Sequence, residues 1–247
     1  MRIITAQEWG RELDGQLTPM AVPANYWIIH HSAGPADRPI MDEARIINAD
    51  SIAEGKVAID YSFLINQSGI VIEGRGFGYR GAHTGATVPA GQPRAGESYN
   101  NAGHAVCFVG NYHPPFAPVP SVHPTPEQLE GCARLIAESV RVGVCVPDWI
   151  TLGHRDAKAT ACPGDNLYPH VVDIHMRARA ILETKAELEM HLSDKDLDEI
   201  RKILRESLEA HAGDCGIGED GKPIRRTVRN AVVAGVRSSL KAKFLRP

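Results

Sequence analysis

The sequence has no long apolar run. Its longest, such as Tyr26–Ile29 and Ala105–Val109, fall far short of the roughly 20 residues a membrane-spanning helix needs. Met1–Gly10 likewise lacks a basic start, an apolar core and a small-residue cleavage site, so the expectation is a soluble chain made in the cytoplasm without a Sec-type signal. Cysteine is scarce and odd in number, five at positions 107, 132, 145, 162 and 215, which argues against a disulfide framework and for reduced thiols. Charge of one sign is also missing: the net charge of -3 gives no global attraction to nucleic acid or membrane. There is no internal repeat, no low-complexity tract and no HExxH zinc helix.

What is present reads as a compact α/β domain over residues 1–185, a mixed central β-sheet flanked by helices. Residues 26–30 and 104–109 are short apolar runs that predict buried strands. Residues 59–66 and 70–73 flank Gln67-Ser68-Gly69 and predict a hairpin. Thr125-Pro126-Glu127-Gln128 combines a capping threonine, a proline at the first helical position and a glutamine three residues after the cap, so a helix should run to about Val142. A strand near 149–152 and helices over 41–53 and 168–182 complete the domain. Residues 76–101, rich in Gly, Ala, Pro and Asn, predict a long surface loop of the kind that lines binding sites.

His30 and His31 end a predicted strand, His154 stands in the same kind of place after Thr-Leu-Gly, and Cys162 follows in a loop that Pro163 and Gly164 keep from becoming helix. Two imidazoles and a thiolate are three ligands for a tetrahedral zinc that keeps its fourth position open, as catalytic sites do. The bland alternative is that these are surface or packing residues among 11 histidines. Gly76–Gly81 spells GxGxxG, but Pro- and Gly-rich chain follows where a dinucleotide site needs a helix, so that reading is rejected. Cys132 and Cys145 lack the spacing of a zinc knuckle and are expected in the core.

The segments EWG (8–10), IIHHSAG (28–34), DYSFLINQSGIVIEGR (60–75), GAHTGA (81–86), NNAGHAVCFVGNY (100–112), TPEQL (125–129) and GHRDAKATACPGDNLY (153–168) occur in that order. Together they resemble the type 2 N-acetylmuramoyl-L-alanine amidases and peptidoglycan recognition proteins, and the ACPGDNLY ending is most similar to amidase-type bacteriophage endolysins. The resemblance implies His30, His154 and Cys162 as ligands of Zn2+, with His31 a neighbour of the site. It implies Tyr61 as the catalytic tyrosine and Thr160 as a donor to the carbonyl oxygen, standing where some phage enzymes carry lysine. It also implies His83 as a contact to peptidoglycan, with Asn101 and Asn111 as weaker candidates for polar contacts. The implied reaction is hydrolysis of the amide between N-acetylmuramic acid and L-alanine, by a lysin made in a host bacterium's cytoplasm and acting on the wall after release. Two rivals stay open: a recognition module that binds without cutting, and a cytoplasmic recycling amidase, whose relatives usually carry aspartate in place of Cys162.

Residues 190–247 lie beyond the resemblance and form a separate, helical appendage in this reading. An acidic helix opens at Ser193 with Leu197, Ile200, Leu204 and Leu208 on one stripe. From Lys222 the chain carries Arg225, Arg226, Arg229, Arg237, Lys241, Lys243 and Arg246 without an acidic residue. This basic tail either tethers the enzyme to an anionic cell-wall polymer or pairs with the acidic helix or a second subunit. Without aromatic residues before Phe244, it gives no support for nucleic-acid stacking.

Overall fold

The computed structural model describes residues 2–20, 23–114 and 119–191, with side chains described to Thr184. One compact unit spans Met1–Thr184. The appendage expected over 190–247 falls almost wholly outside the described residues.

In chain order the elements are β1 (Ile3–Ile4), α1 (Ala6–Trp9), β2 (Ala24–His31), α2 (Ile40–Ala53), β3 (Phe63–Ile65), β4 (Val71–Glu73), α3 (Tyr99–Ala102), β5 (Gly103–Phe108), α4 (Pro126–Arg141), β6 (Cys145–Gly153), α5 (His154–Ala157), a 3-10 turn (Tyr168–His170) and α6 (Val171–His191). The strands form one sheet in the order β1-β4-β3-β5-β2-β6. Only β3 and β4 pair antiparallel; the other four pairings are parallel. The mixed α/β architecture read from the sequence is therefore the one observed.

Both faces of the sheet are covered, which is why β2 and β5 read as unbroken apolar runs rather than alternating ones. On one face Trp27, Ile29, Phe63, Val106 and Phe108 pack with Leu129 and Ile136 of α4, Trp149 of β6 and Ile174 of α6. On the other, Leu64, Ile72 and Cys107 meet Trp9 of α1 and Ile40 and Ala44 of α2. Val88 of the loop before α3 and Tyr99 of α3 itself pack over Tyr26 and Ile28.

Local chemistry sets the element ends. The Thr125–Gln128 capping box opens α4 as expected. The hairpin turns at Gly69, whose φ of +72° suits glycine, and an added Cβ there would meet the Glu127 carbonyl at 2.5 Å. Its first strand is shorter than the expected 59–66, because residues 58 and 59 bond to side chains, and residues 60 and 61 to loop backbone, instead of a neighbouring strand. The Arg75 guanidinium takes the Ala58 and Ile59 carbonyls at 3.0 and 2.7 Å, and Asn48 Oδ1 accepts the Ile59 N–H at 2.7 Å. Strand β6 is longer than expected, reaching back to Cys145. Its register to β2 slips between Ala24 and Tyr26, close to Pro147, which has no N–H to give a ladder. Helix α6 starts after a 3-10 turn and passes residue 182, since no Gly or Pro interrupts Val171–His191.

Candidate metal centre

Strands β2, β5 and β6 lie side by side and parallel, so their carboxyl ends share one rim, the usual place for a site in an open α/β sheet. His30 is the penultimate residue of β2 and pairs with Cys107 of β5. His154 is the first residue of α5, immediately after β6. Cys162 reaches the same point from the following loop. One nitrogen of each histidine and the thiol sulfur all lie within 4.8 Å of one another, the one group of metal-capable side chains among the described residues.

The spacing suits a small cation. Zinc bond lengths put tetrahedral donors roughly 3.3–3.8 Å apart, and His30 Nδ1 stands 3.7 Å from Cys162 Sγ. The His30 and His154 ring centroids are 4.4 Å apart. His154 Nε2 is buried without a hydrogen-bond partner, a costly state for a polar atom unless something else meets its lone pair.

Electrostatics agree with the geometry. Burial holds the His30 pKa well below the ordinary histidine value, with His83 and His154 adding to the effect. Burial and then the Lys158 ammonium lower His154 to about 4. The Cys162 thiol is pushed up to about 11 by burial, against the opposing pull of the His31 N–H and Arg155. Three donors are thus kept uncharged, and a divalent cation is what converts such a thiol into a thiolate ligand. The residues fit zinc.

A clip outside the sheet places Cys162. The Arg155 N–H donates to the Cys162 carbonyl at 2.9 Å, and Nη2 donates to the Ala161 carbonyl at 2.5 Å and pairs with Asp165 Oδ1 at 2.9 Å. The guanidinium lies 4.7 Å from the centroid of the Tyr168 ring, whose hydroxyl donates to Asp156 Oδ1 at 2.5 Å. Asp156 Oδ2 accepts the Gly153 N–H at 2.8 Å, closing the circuit onto β6. Gly164 lets the loop turn against residue 112: its φ is +93°, and a Cβ would meet the Tyr112 backbone at 2.3 Å. From β2, the His31 N–H points at Cys162 Sγ at 3.4 Å, and His31 Nδ1 accepts the Tyr112 N–H at 3.1 Å. His31 is therefore a neighbour that supports the site, as read from the sequence.

Tyr61 precedes β3, and its ring centroid is 5.1 Å from that of His30. Burial, the neighbouring Cys107 and Cys162 thiols, and a hydrogen bond to Cys107 raise its pKa well above the ordinary value. It stays a donor at any working pH. Its carbonyl accepts the Arg75 N–H at 2.9 Å. Thr160 is exposed, and its Oγ accepts the Cys162 N–H at 3.3 Å, leaving the hydroxyl hydrogen to donate elsewhere.

The other two expected residues sit differently. His83 is 6% exposed and lies behind His30, with its Nδ1 3.1 Å from His30 Nε2. Asn101 belongs to a network of the long loop: its amide donates to Glu97 Oε2 at 2.7 Å, and its carbonyl accepts from Arg94 at 3.1 Å. Asn111 is fully buried and serves its own loop, accepting the His113 N–H at 3.0 Å. Sequence reasoning passed over Arg155, Arg75 and Cys107. All three stand inside the quoted segments, but their partners follow only from strand register and loop closure.

A family described as N-acetylmuramoyl-L-alanine amidase matches residues 20–165. The chain is 33% identical over 161 residues to an N-acetylmuramoyl-L-alanine amidase of Sus scrofa, a match covering 62% of this chain and 24% of that protein. It is 29% identical over 175 residues to peptidoglycan-recognition protein SC2 of Drosophila melanogaster, covering 68% and 84%. Among solved structures, Drosophila PGRP-LB superposes with a TM-score of 0.57 at 29% identity, over 69% of this chain and 92% of that one. The ectodomain complex of PGRP-LCa and PGRP-LCx bound to tracheal cytotoxin does so at 0.58 and 29%, over 69% and 95%. With strand-end donors at one rim and a family match from residue 20 to residue 165, the chain belongs to the N-acetylmuramoyl-L-alanine amidase family, with the peptidoglycan recognition proteins among its relatives.

Proposed function

We propose that the chain is a zinc-dependent N-acetylmuramoyl-L-alanine amidase that releases stem peptides from the glycan strands of bacterial peptidoglycan. One observation carries the reading: His30, His154 and Cys162 converge to within 4.8 Å beside the Tyr61 ring, a complete donor set rather than the remnant of one. Relatives here are named both as amidases and as recognition proteins, so the family as a whole covers cutting and binding. The intact donor set favours cutting.

Zinc held by these three residues supplies a Lewis acid for the scissile carbonyl and a nucleophile from water near neutral pH. The protein's own groups do the rest. Tyr61, kept protonated, donates a hydrogen bond to the carbonyl oxygen as negative charge develops there. Thr160, its oxygen fixed by the Cys162 N–H, presents a second, neutral donor from the exposed side. A lysine in that place would add charge; threonine gives direction without it. His31 and Arg155 keep the thiolate aimed. The departing alanine nitrogen takes up, by way of solvent, the proton that the attacking water gives off, and no covalent intermediate with the protein is needed.

The setting proposed is host lysis by a bacteriophage, on the likeness of residues 161–168 to endolysins, with the basic C-terminal residues as a tether to anionic wall polymers. Digestion of purified peptidoglycan, followed by mass spectrometry of the soluble fraction, tests the activity. Stem peptides with an unblocked L-alanine amino terminus should appear, vanish with a chelator and return with zinc. Wall binding without released fragments would replace the amidase by a recognition module.

A further inference from the structure

His83 is 53 positions from His30, yet their ring centroids are 5.0 Å apart with planes at 77°, and His30 Nε2 faces His83 Nδ1 at 3.1 Å. Both rings are interior, 1% and 6% exposed. A histidine that offers one nitrogen lone pair to a metal carries its proton on the other nitrogen, and away from water that N–H requires an acceptor. For His30 the nitrogen turned toward Cys162 Sγ is Nδ1, at 3.7 Å. Its proton then belongs on Nε2, pointing at His83.

His83 can accept there only as a neutral ring protonated on its own Nε2. That Nε2 is itself buried and has no hydrogen-bond partner among the described residues, so its proton is the one unmatched end of the pair. Gly81 makes room for the arrangement: a Cβ at that position would meet His83 Cδ2 at 2.4 Å. The order of protons therefore runs from His83 to His30 and ends at the donor set.

We infer that His83 is a positioning residue for the metal centre: by accepting the His30 Nε2–H it fixes the tautomer and ring plane that aim the Nδ1 lone pair at Cys162 and His154. This rests on reading the triple as a zinc site. It gives His83 a role distinct from the peptidoglycan contact implied by resemblance, consistent with its burial. Among the described residues, no other side-chain hydrogen bond to His30 Nε2 competes for the role.

The test starts from metal-free protein carrying 15N-labelled histidine, in which two-bond 1H–15N correlations report each ring's tautomer. His30 should be protonated at Nε2 in the wild type, and His83→Ala should abolish that preference. Zinc affinity, measured by competition with a chromophoric chelator, should fall about 10–100-fold in His83→Ala. His83→Asn, whose amide oxygen can stand near the position of Nδ1, should recover most of the loss. Should His83→Ala not fold, the wild-type tautomer and the zinc affinity of His83→Asn decide. A wild-type His30 protonated at Nδ1, or a folded His83→Ala that binds zinc as tightly as wild type, overturns the inference while leaving the amidase reading intact. Wild-type protein with no affinity for zinc sinks the amidase reading first.

Discussion

His30 enters the donor set from inside the sheet, 1% exposed and flanked by hydrogen-bonded strands on both sides, whereas Cys162 enters it from a half-exposed loop that no strand supports. The first is held by the same backbone ladder that holds the core. The second is held by a local circuit of Arg155, Asp156, Asp165 and Tyr168. A centre of this kind is anchored on one side and adjustable on the other. Tyr61 belongs to the anchored side and Arg155 to the adjustable one, and substitutions at these two residues can separate rate from metal affinity.

The largest effect belongs to the donors themselves. Cys162→Ala should remove zinc, measured by metal analysis after gel filtration, and reduce stem-peptide release to background. The fold should survive, because Cys162 lies outside all three apolar clusters. An active Cys162→Ala enzyme would end the zinc assignment. Tyr61→Phe probes the anchored side without touching a ligand. It should retain zinc and KM while kcat falls about a hundredfold or more, the cost of removing one oxyanion donor. Loss of zinc together with rate would instead make Tyr61 part of the packing that supports His30.

Arg155→Ala breaks the clip. Two side-chain contacts to the Cys162 loop and the stacking on Tyr168 disappear together, while the backbone N–H of residue 155 still bonds the Cys162 carbonyl. Zinc affinity should drop about 10–100-fold, as for other groups that orient ligands, while kcat at saturating zinc stays close to wild type. Titrating activity against free zinc distinguishes the two sides. A deficit that excess zinc does not repair would mean that the loop, not the sheet, carries the chemistry.

The split between the sides also explains what could be read in advance. His30, His154 and Cys162 were legible because strand ends and a Pro-Gly loop are local features, and the quoted segments place all three. The capping box of α4 and the hairpin turn at Gly69 were legible for the same reason. The approach of His83 to His30 was not, since it joins residues 53 apart through loop closure. Cys107 beneath Tyr61 depends on the pairing of β3 with β5, which apolar runs do not specify. The shortening of β3 was hidden as well: Arg75 reads as a charged surface residue until its guanidinium is seen to take the carbonyls of residues 58 and 59.

The smallest expected effect separates the charge of the exposed side from its shape. Lys158 closes α5, its N–H donating to the His154 carbonyl at 3.1 Å, and its side chain is exposed. Its ammonium acts on His154 in the direction of a lower pKa, which keeps that ring neutral and ready for a metal. Burial is the first cause of that shift and remains when the lysine is gone. An exposed charge is also screened, with pair energies of about 0.2–1 kcal/mol. Lys158→Ala should therefore change kcat/KM by less than about fivefold at physiological ionic strength, with a larger fraction of any loss at low salt where the Debye length grows to roughly 30 Å. Measured across that salt range, a loss of a hundredfold or more would mean that Lys158 supplies the positive charge that Thr160 lacks, and the adjustable side of the centre would then share in the chemistry as well as in holding the metal.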